Sequence, residues 1–141
     1  MQLELPFKIA NFFGVASPPP GDCPSPRRAL SPNRDRDEEW TRWCADAARK
    51  LGMPRLAGRV EVFWNSRLVT TAGLADCKNW RIELNPRLME FEPEEPAHTA
   101  RHELAHLVAQ ARAGRRRIAT HGAEWRQACA DLGIPGERSF Q

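Results

Sequence analysis

The sequence contains no tyrosine, no C-x-x-C pair and no apolar run approaching membrane-spanning length. Each absence removes something. A spanning helix needs about 20 consecutive apolar residues, so none is expected. The four cysteines, Cys23, Cys44, Cys77 and Cys129, are scattered, which excludes a zinc site built on close cysteine pairs. The opening MQLELPF has no basic stretch followed by a long apolar core. No secretory signal is expected, and with it no disulfide framework, so the thiols should be reduced and the chain cytoplasmic. Without tyrosine, any donor that stabilises an oxyanion must be another side chain or the backbone. Excess charge is small too. A net charge of +3 and a pI near 8.9 are compatible with a polyanionic partner without requiring one.

Proline is plentiful, but it is concentrated. Residues 16–36 carry six prolines and almost no apolar side chains. Such a stretch buries too little surface to offset chain ordering, so it reads as a flexible linker of polyproline character. It divides the 141 residues into an apolar N-terminal segment, 1–15, and one domain of modest core, 37–141.

Within the domain the periodicity changes twice. Trp40, Trp43, Ala47 and Leu51 recur at helical spacing after Asp37, and Gly52 and Pro54 stop the run. Arg59 to Trp64 alternates as a strand; Arg67 to Ala72 and Trp80 to Leu84 are further β-rich runs, separated by Gly73 and an Asp76 to Asn79 turn. Glu94-Glu95-Pro96 suits a helix N-terminus, and that helix should run to Gly114. A last helix is expected over about Gly122 to Leu132. The fold class is α+β: helix, a three-stranded and mostly antiparallel sheet, helix, helix.

The long helix carries the chemistry. His102 and His106 stand four residues apart, on one face and about 6 Å apart along the axis, which suits two imidazoles on one zinc ion. Glu103 lies beside them, where a carboxylate can take a proton from metal-activated water. A third ligand is needed. The longer H-E-x-x-H-x-x-G-x-x-H pattern fails, because Ala109 and Arg112 occupy its Gly and His positions. His98 lies one turn before His102, but three ligands spread over about 12 Å of helix cannot meet at bonds near 2.1 Å. It is expected to be a solvent-facing or first-turn residue. Glu124 and His121 remain, and His121 can swing back across the loop to the same face. Trp125 is expected to pack the last helix against the ligand helix.

HELAH followed by 14 residues and HGAEW resembles the SprT-like (Spartan-related) family of zinc metalloproteases. The upstream TTAGLADCKNWRIELNP is similar to that family's strand pair, and the likeness extends over about residues 37–135. The resemblance implies a minimal zincin-like domain holding one zinc ion on His102, His106 and His121, with Glu103 as the catalytic base. It also implies an endopeptidase acting on proteins at or crosslinked to DNA, near the nucleoid. Many relatives carry a four-cysteine zinc ribbon that binds DNA, a pattern absent from these 141 residues.

Two further stretches bear on partners. Arg112, Arg115, Arg116 and Arg117 cluster between the ligand helix and His121; they read either as a solvated loop complementing a helix C-terminus or as phosphate-binding groups beside the zinc. Gln2-Leu3-Glu4-Leu5-Pro6-Phe7 resembles the bacterial sliding-clamp-binding peptide: Leu3, Leu5 and Phe7 would fill an apolar pocket and Gln2 would make polar contacts. The other reading of the same residues is an edge strand packed on the domain. The competing function for the whole chain is a non-catalytic, zinc-stabilised adaptor for DNA or the clamp, but a purely structural site would not require Glu103.

Overall fold

The computed structural model of the chain describes residues 2–4, 34–92 and 94–137, with side chains from residue 35 onward. The elements run in the order β1 (Gln2–Glu4), β2 (Arg34–Arg36), α1 (Glu38–Lys50), α2 (Pro54–Ala57), β3 (Glu61–Asn65), β4 (Thr71–Asp76), β5 (Arg81–Leu84), a 3-10 turn (Pro86–Glu90), α3 (Glu94–Ala113) and α4 (Ala123–Asp131). The expected α+β order is present. No described helix is long and apolar enough to cross a membrane.

Among the described residues the sheet has five strands where three were expected, in the order β1-β4-β5-β3-β2. Three of its four ladders are antiparallel and β3–β5 is parallel. The middle strand lies further along the chain than the Arg67–Ala72 expectation. Asn85 explains the shift: its side-chain amide donates to the carbonyls of Leu68 (3.1 Å) and Thr71 (2.9 Å), holding residues 67–70 as a loop. Gly73 is therefore a strand residue and not a separator. Arg34–Arg36, expected as the end of the linker, pairs with β3. Most of the expected linker and docking segment, including Leu5 and Phe7, lies outside the described residues.

Helix α1 begins where its sequence dictates. Asp37 is 1% exposed because its carboxylate accepts from the Trp40 backbone N–H (2.9 Å) and from the Trp64 indole (2.8 Å). One side chain thus caps the helix and ties it to β3. The core lies between the sheet and helices α1 and α3, where Trp40, Val62, Ile82, Leu84, Leu104 and Leu107 are fully buried. Helix α3 is the centrepiece, with every residue from Glu95 to Ala109 buried except Arg101. That burial holds its His-bearing face in a fixed position against β4 and α4.

Candidate metal centre

Two turns of α3 place His102, Glu103 and His106, and the loop before α4 returns His121 to the same face. One ligand atom from each imidazole lies within 4.8 Å of the others, and the ring centroids are 5.0–5.8 Å apart. Trp125, 1% exposed, packs α4 against α3 as the sequence suggested, and it also touches all three histidines. Its ring stacks on His106 (5.4 Å), meets His102 and His121 edge-on (4.9 and 4.5 Å), and its indole N–H donates to the His102 carbonyl (3.4 Å).

The polar bookkeeping shows what the group lacks. Nε2 of His102, His106 and His121, and both carboxylate oxygens of Glu103, are buried with no hydrogen-bond partner. Buried polar atoms are normally satisfied, and three imidazole nitrogens left without partners so close together demand a ligand. Three imidazole nitrogens are the donor set of a zinc site. Two of the three rings are pushed toward the neutral form. Burial, with His102 and His121 nearby, pushes His106 down to about 2; burial and His102 also lower His121. Neutral rings keep their lone pairs free. Burial pushes the Glu103 carboxyl up to about 7, with His102 pulling the other way.

Glu137, which the sequence reading passed over, orients the first histidine. Its Oε2 lies 2.8 Å from His102 Nδ1 and 2.9 Å from His98 Nε2. Burial alone would raise this carboxyl, but the hydrogen bonds from His102 and His98 hold it at about 2. An ionised carboxylate only accepts, so both rings must donate to it. His102 therefore carries its proton on Nδ1 and turns a bare Nε2 toward the other two histidines. His98 is 5% exposed, not solvent-facing, because this carboxylate draws it inward; it stands outside the three-histidine group. No local pattern marks Glu137. It arrives through a turn after α4: Gly133 (φ +88) and Gly136 (φ +78) reverse the chain, and buried Ile134 anchors it by donating to the Cys129 carbonyl (2.9 Å).

Gly73 is the second unannounced contributor. A Cβ there would lie 2.8 Å from Thr99 Cγ2 and 3.1 Å from Glu103 Cγ. Only glycine lets β4 approach α3 closely enough to wall in the Glu103 side chain. Beside this wall lies a cavity of about 190 Å³ lined by Ala75, Cys77, His106, Ala109, Ile118 and Thr120.

The remaining candidates separate. Glu124 faces away, bonded to Arg116 (3.1 Å). Within the arginine cluster, Arg112 pairs with Asp131 (2.8 Å) and Arg116 with Glu124, and Arg115 borders a second cavity. Strand β5 has no open edge, since β4 and β3 flank it. The outer edge of β4 carries Gln2–Glu4, with Leu3 opposite Gly73.

Comparison with known proteins adds the family. The SprT-like family model matches residues 38–138. The chain is 41% identical over 73 residues to Protein SprT of Pectobacterium atrosepticum, covering 50% of this chain and 42% of that one. It is 39% identical over 74 residues to Protein SprT of Erwinia tasmaniensis (51% and 42%) and 38% identical over 74 residues to that of Escherichia coli (51% and 44%). It thus spans less than half the length of these curated relatives. No solved structure matches it.

Proposed function

Because the chain belongs to the SprT-like family, we propose that it is a zinc-dependent endopeptidase acting on proteins at or crosslinked to DNA. The observation that carries this is the set of three orphaned imidazole nitrogens gathered around Trp125, on the same helix as a buried Glu103 whose two carboxylate oxygens are also unpartnered. His102, His106 and His121 would hold the zinc ion. When bound, it supplies a Lewis acid that lowers the pKa of a water toward about 7 and polarises a peptide carbonyl.

The rest falls to the protein. Glu103 takes a proton from the attacking water and returns it to the leaving amide nitrogen. Its burial keeps the carboxyl near neutrality, where it can do both. Glu137 fixes the His102 tautomer, and Trp125 closes the back of the site against water. The cavity beside His106 takes a small apolar substrate side chain, lined as it is by Ala75, Ala109 and Ile118. An extended substrate would hydrogen-bond to the outer edge of β4, in the place that Gln2–Glu4 now holds.

That placement bears on the clamp. Gln2, Leu3, Leu5 and Phe7 would dock the chain to a bacterial sliding clamp, bringing it to DNA. The same backbone cannot serve β4 and a clamp together, so clamp docking would clear the substrate edge. A peptide of residues 1–10 should bind the clamp at micromolar strength and lose binding on Leu3→Ala.

The peptidase reading is tested with the zinc-loaded full chain and casein, with and without DNA. Cleavage by the wild-type protein that vanishes in Glu103→Gln, at unchanged zinc content, supports it. Equal inactivity of both proteins under every condition would leave the zinc-stabilised adaptor instead.

A further inference from the structure

Away from the histidines, α2, the β4–β5 turn and the C-terminal end of α3 enclose a second cavity of about 520 Å³. That is within the roughly 300–1,000 Å³ range of ligand sites. Its wall holds three guanidinium-bearing side chains, Arg55, Arg59 and Arg115, together with the ring-bearing Trp80, and no carboxylate. Three elements distant in sequence contribute these residues.

The arginines differ from several others in the fold. Arg112, Arg116, Arg36 and Arg49 each have a carboxylate partner. Among the described residues, Arg55, Arg59 and Arg115 have none. Three like charges around one hollow repel each other, a cost that an anionic ligand would remove. Arg115, at the C-terminal end of α3, is explained by the helix dipole; Arg55 and Arg59, which come from elsewhere in the chain, are not.

Trp80 supplies the second observation. It is the one described non-glycine residue at positive φ, +56°. A bulky ring there is a genuine outlier for a tight turn, where Asn or Gly would serve without strain. The turn is otherwise well made, with Asp76 accepting from the backbone N–H of Lys78 (3.1 Å) and Asn79 (3.2 Å). The Trp80 ring packs in part on the core, and the rest of its surface lines the basic hollow.

We infer that this cavity binds single-stranded nucleic acid, with a base stacked on Trp80 and the flanking phosphates on Arg55, Arg59 and Arg115. Sequence-tolerant stacking beside a basic track is how single strands are held, whereas a duplex hides its base faces. An acidic peptide would meet the arginines equally well but has no use for the ring. Gln110 lines both this cavity and the one beside His106, so a bound strand would lie one helix face from the metal centre. The inference rests on the DNA-associated half of the proposed function and is independent of peptide cleavage.

The test is fluorescence anisotropy of the full-length, zinc-loaded chain with labelled dT12, across 50–300 mM salt. A 12-base-pair duplex and a polyglutamate peptide serve as competitors. Arg55→Glu/Arg59→Glu, at exposed positions that spare the core, should weaken dT12 binding at least tenfold and reduce the salt slope by about two. Trp80→Ala should weaken it about tenfold and Trp80→Phe little. The duplex and polyglutamate should compete poorly. Unchanged affinity and salt slope in the double arginine variant would overturn the inference. So would equal displacement by polyglutamate, or indifference to Trp80→Ala in a protein with a wild-type melting profile. Casein cleavage by the wild-type chain without DNA, followed in parallel, reports on the peptidase alone; its presence alongside failed dT12 binding would sink this site and leave that reading intact.

Discussion

Replacing Glu137 with glutamine keeps the side chain's size and removes its charge. In the native chain one oxygen, Oε2, accepts from His102 Nδ1 at 2.8 Å and from His98 Nε2 at 2.9 Å. Hydrogen bonds to an ionised group contribute about 1.5–3 kcal/mol each, against about 1 for neutral pairs. The glutamine can still accept, but weakly, and its amide group can turn toward the rings and repel their N–H groups. His102 then loses part of the restraint that aims Nε2 at the metal, and its ring becomes a poorer donor. Losing such a support typically weakens metal affinity about 10- to 100-fold, or about 1.4–2.7 kcal/mol. Glu137→Ala should do more, because it leaves two buried ring N–H groups without an acceptor at about 1–3 kcal/mol each. Zinc titration against a chromophoric chelator measures the first effect, and thermal unfolding of the metal-free proteins measures the second. The expected pattern is a zinc Kd at least tenfold higher in Glu137→Gln with little loss of metal-free stability, and a lower melting temperature in Glu137→Ala. A zinc Kd for Glu137→Gln within twofold of wild type would refute the reasoning.

Gly73→Ala places a carbon 2.8 Å from Thr99 Cγ2 and 3.1 Å from Glu103 Cγ, where carbons prefer about 3.5–4.0 Å. Overpacking should cost about 1–3 kcal/mol, and the displaced base should lower casein turnover roughly 100-fold with zinc content unchanged; wild-type turnover would contradict the close-approach argument. Glu95 is 6% exposed and its Oε2 has no hydrogen-bond partner. Burial, then Glu94, raises its carboxyl from 4.5 to about 7. The folded state therefore binds the proton more tightly than the unfolded chain, and the wild type loses stability as pH rises through that window. Allowing for water reaching part of its surroundings, Glu95→Gln should be more stable than wild type by about 1–2 kcal/mol at pH 8, the gap closing below pH 4.5. A pH-independent difference in denaturant melts would count against it. Deleting residues 1–6 frees the β4 edge and should raise casein cleavage several-fold; a fall or no change would show that Gln2–Glu4 does not compete with substrate there.

The parts of this molecule legible in its sequence are those governed by local pattern. Helix α3 appeared with its full length because acids and a proline open it and Gly114 follows its last turn. The i, i+4 histidines needed nothing beyond helix geometry, and Trp125 between Glu124 and Arg126 was recognisably a buried anchor. What escaped depends on contacts between distant segments. The middle strand slid to Thr71–Asp76 because the Asn85 side chain, fourteen residues beyond Thr71, holds the preceding loop open. His98 is polar and close to a helix start, so exposure was the natural expectation; it is buried because Glu137, thirty-nine residues later, accepts a hydrogen bond from its ring N–H. The arginine run looked continuous in sequence, yet Asp131 and Glu124 claim two of its members and Arg115 joins Arg55 and Arg59 instead. The three-residue strand Arg34–Arg36 carries too few side chains for alternation to reveal it, and it read as the end of the linker.

The centre of the account is that His102, His106 and His121 hold one divalent cation together. Metal analysis of the purified full-length chain by mass spectrometry, after dialysis against trace zinc, measures this directly. One zinc per chain in the wild type and in Glu103→Gln, falling to a small fraction in His121→Ala with the fold retained by circular dichroism, is the expected result. A wild-type chain that binds no zinc, or a His121→Ala chain that keeps a full equivalent, would contradict it.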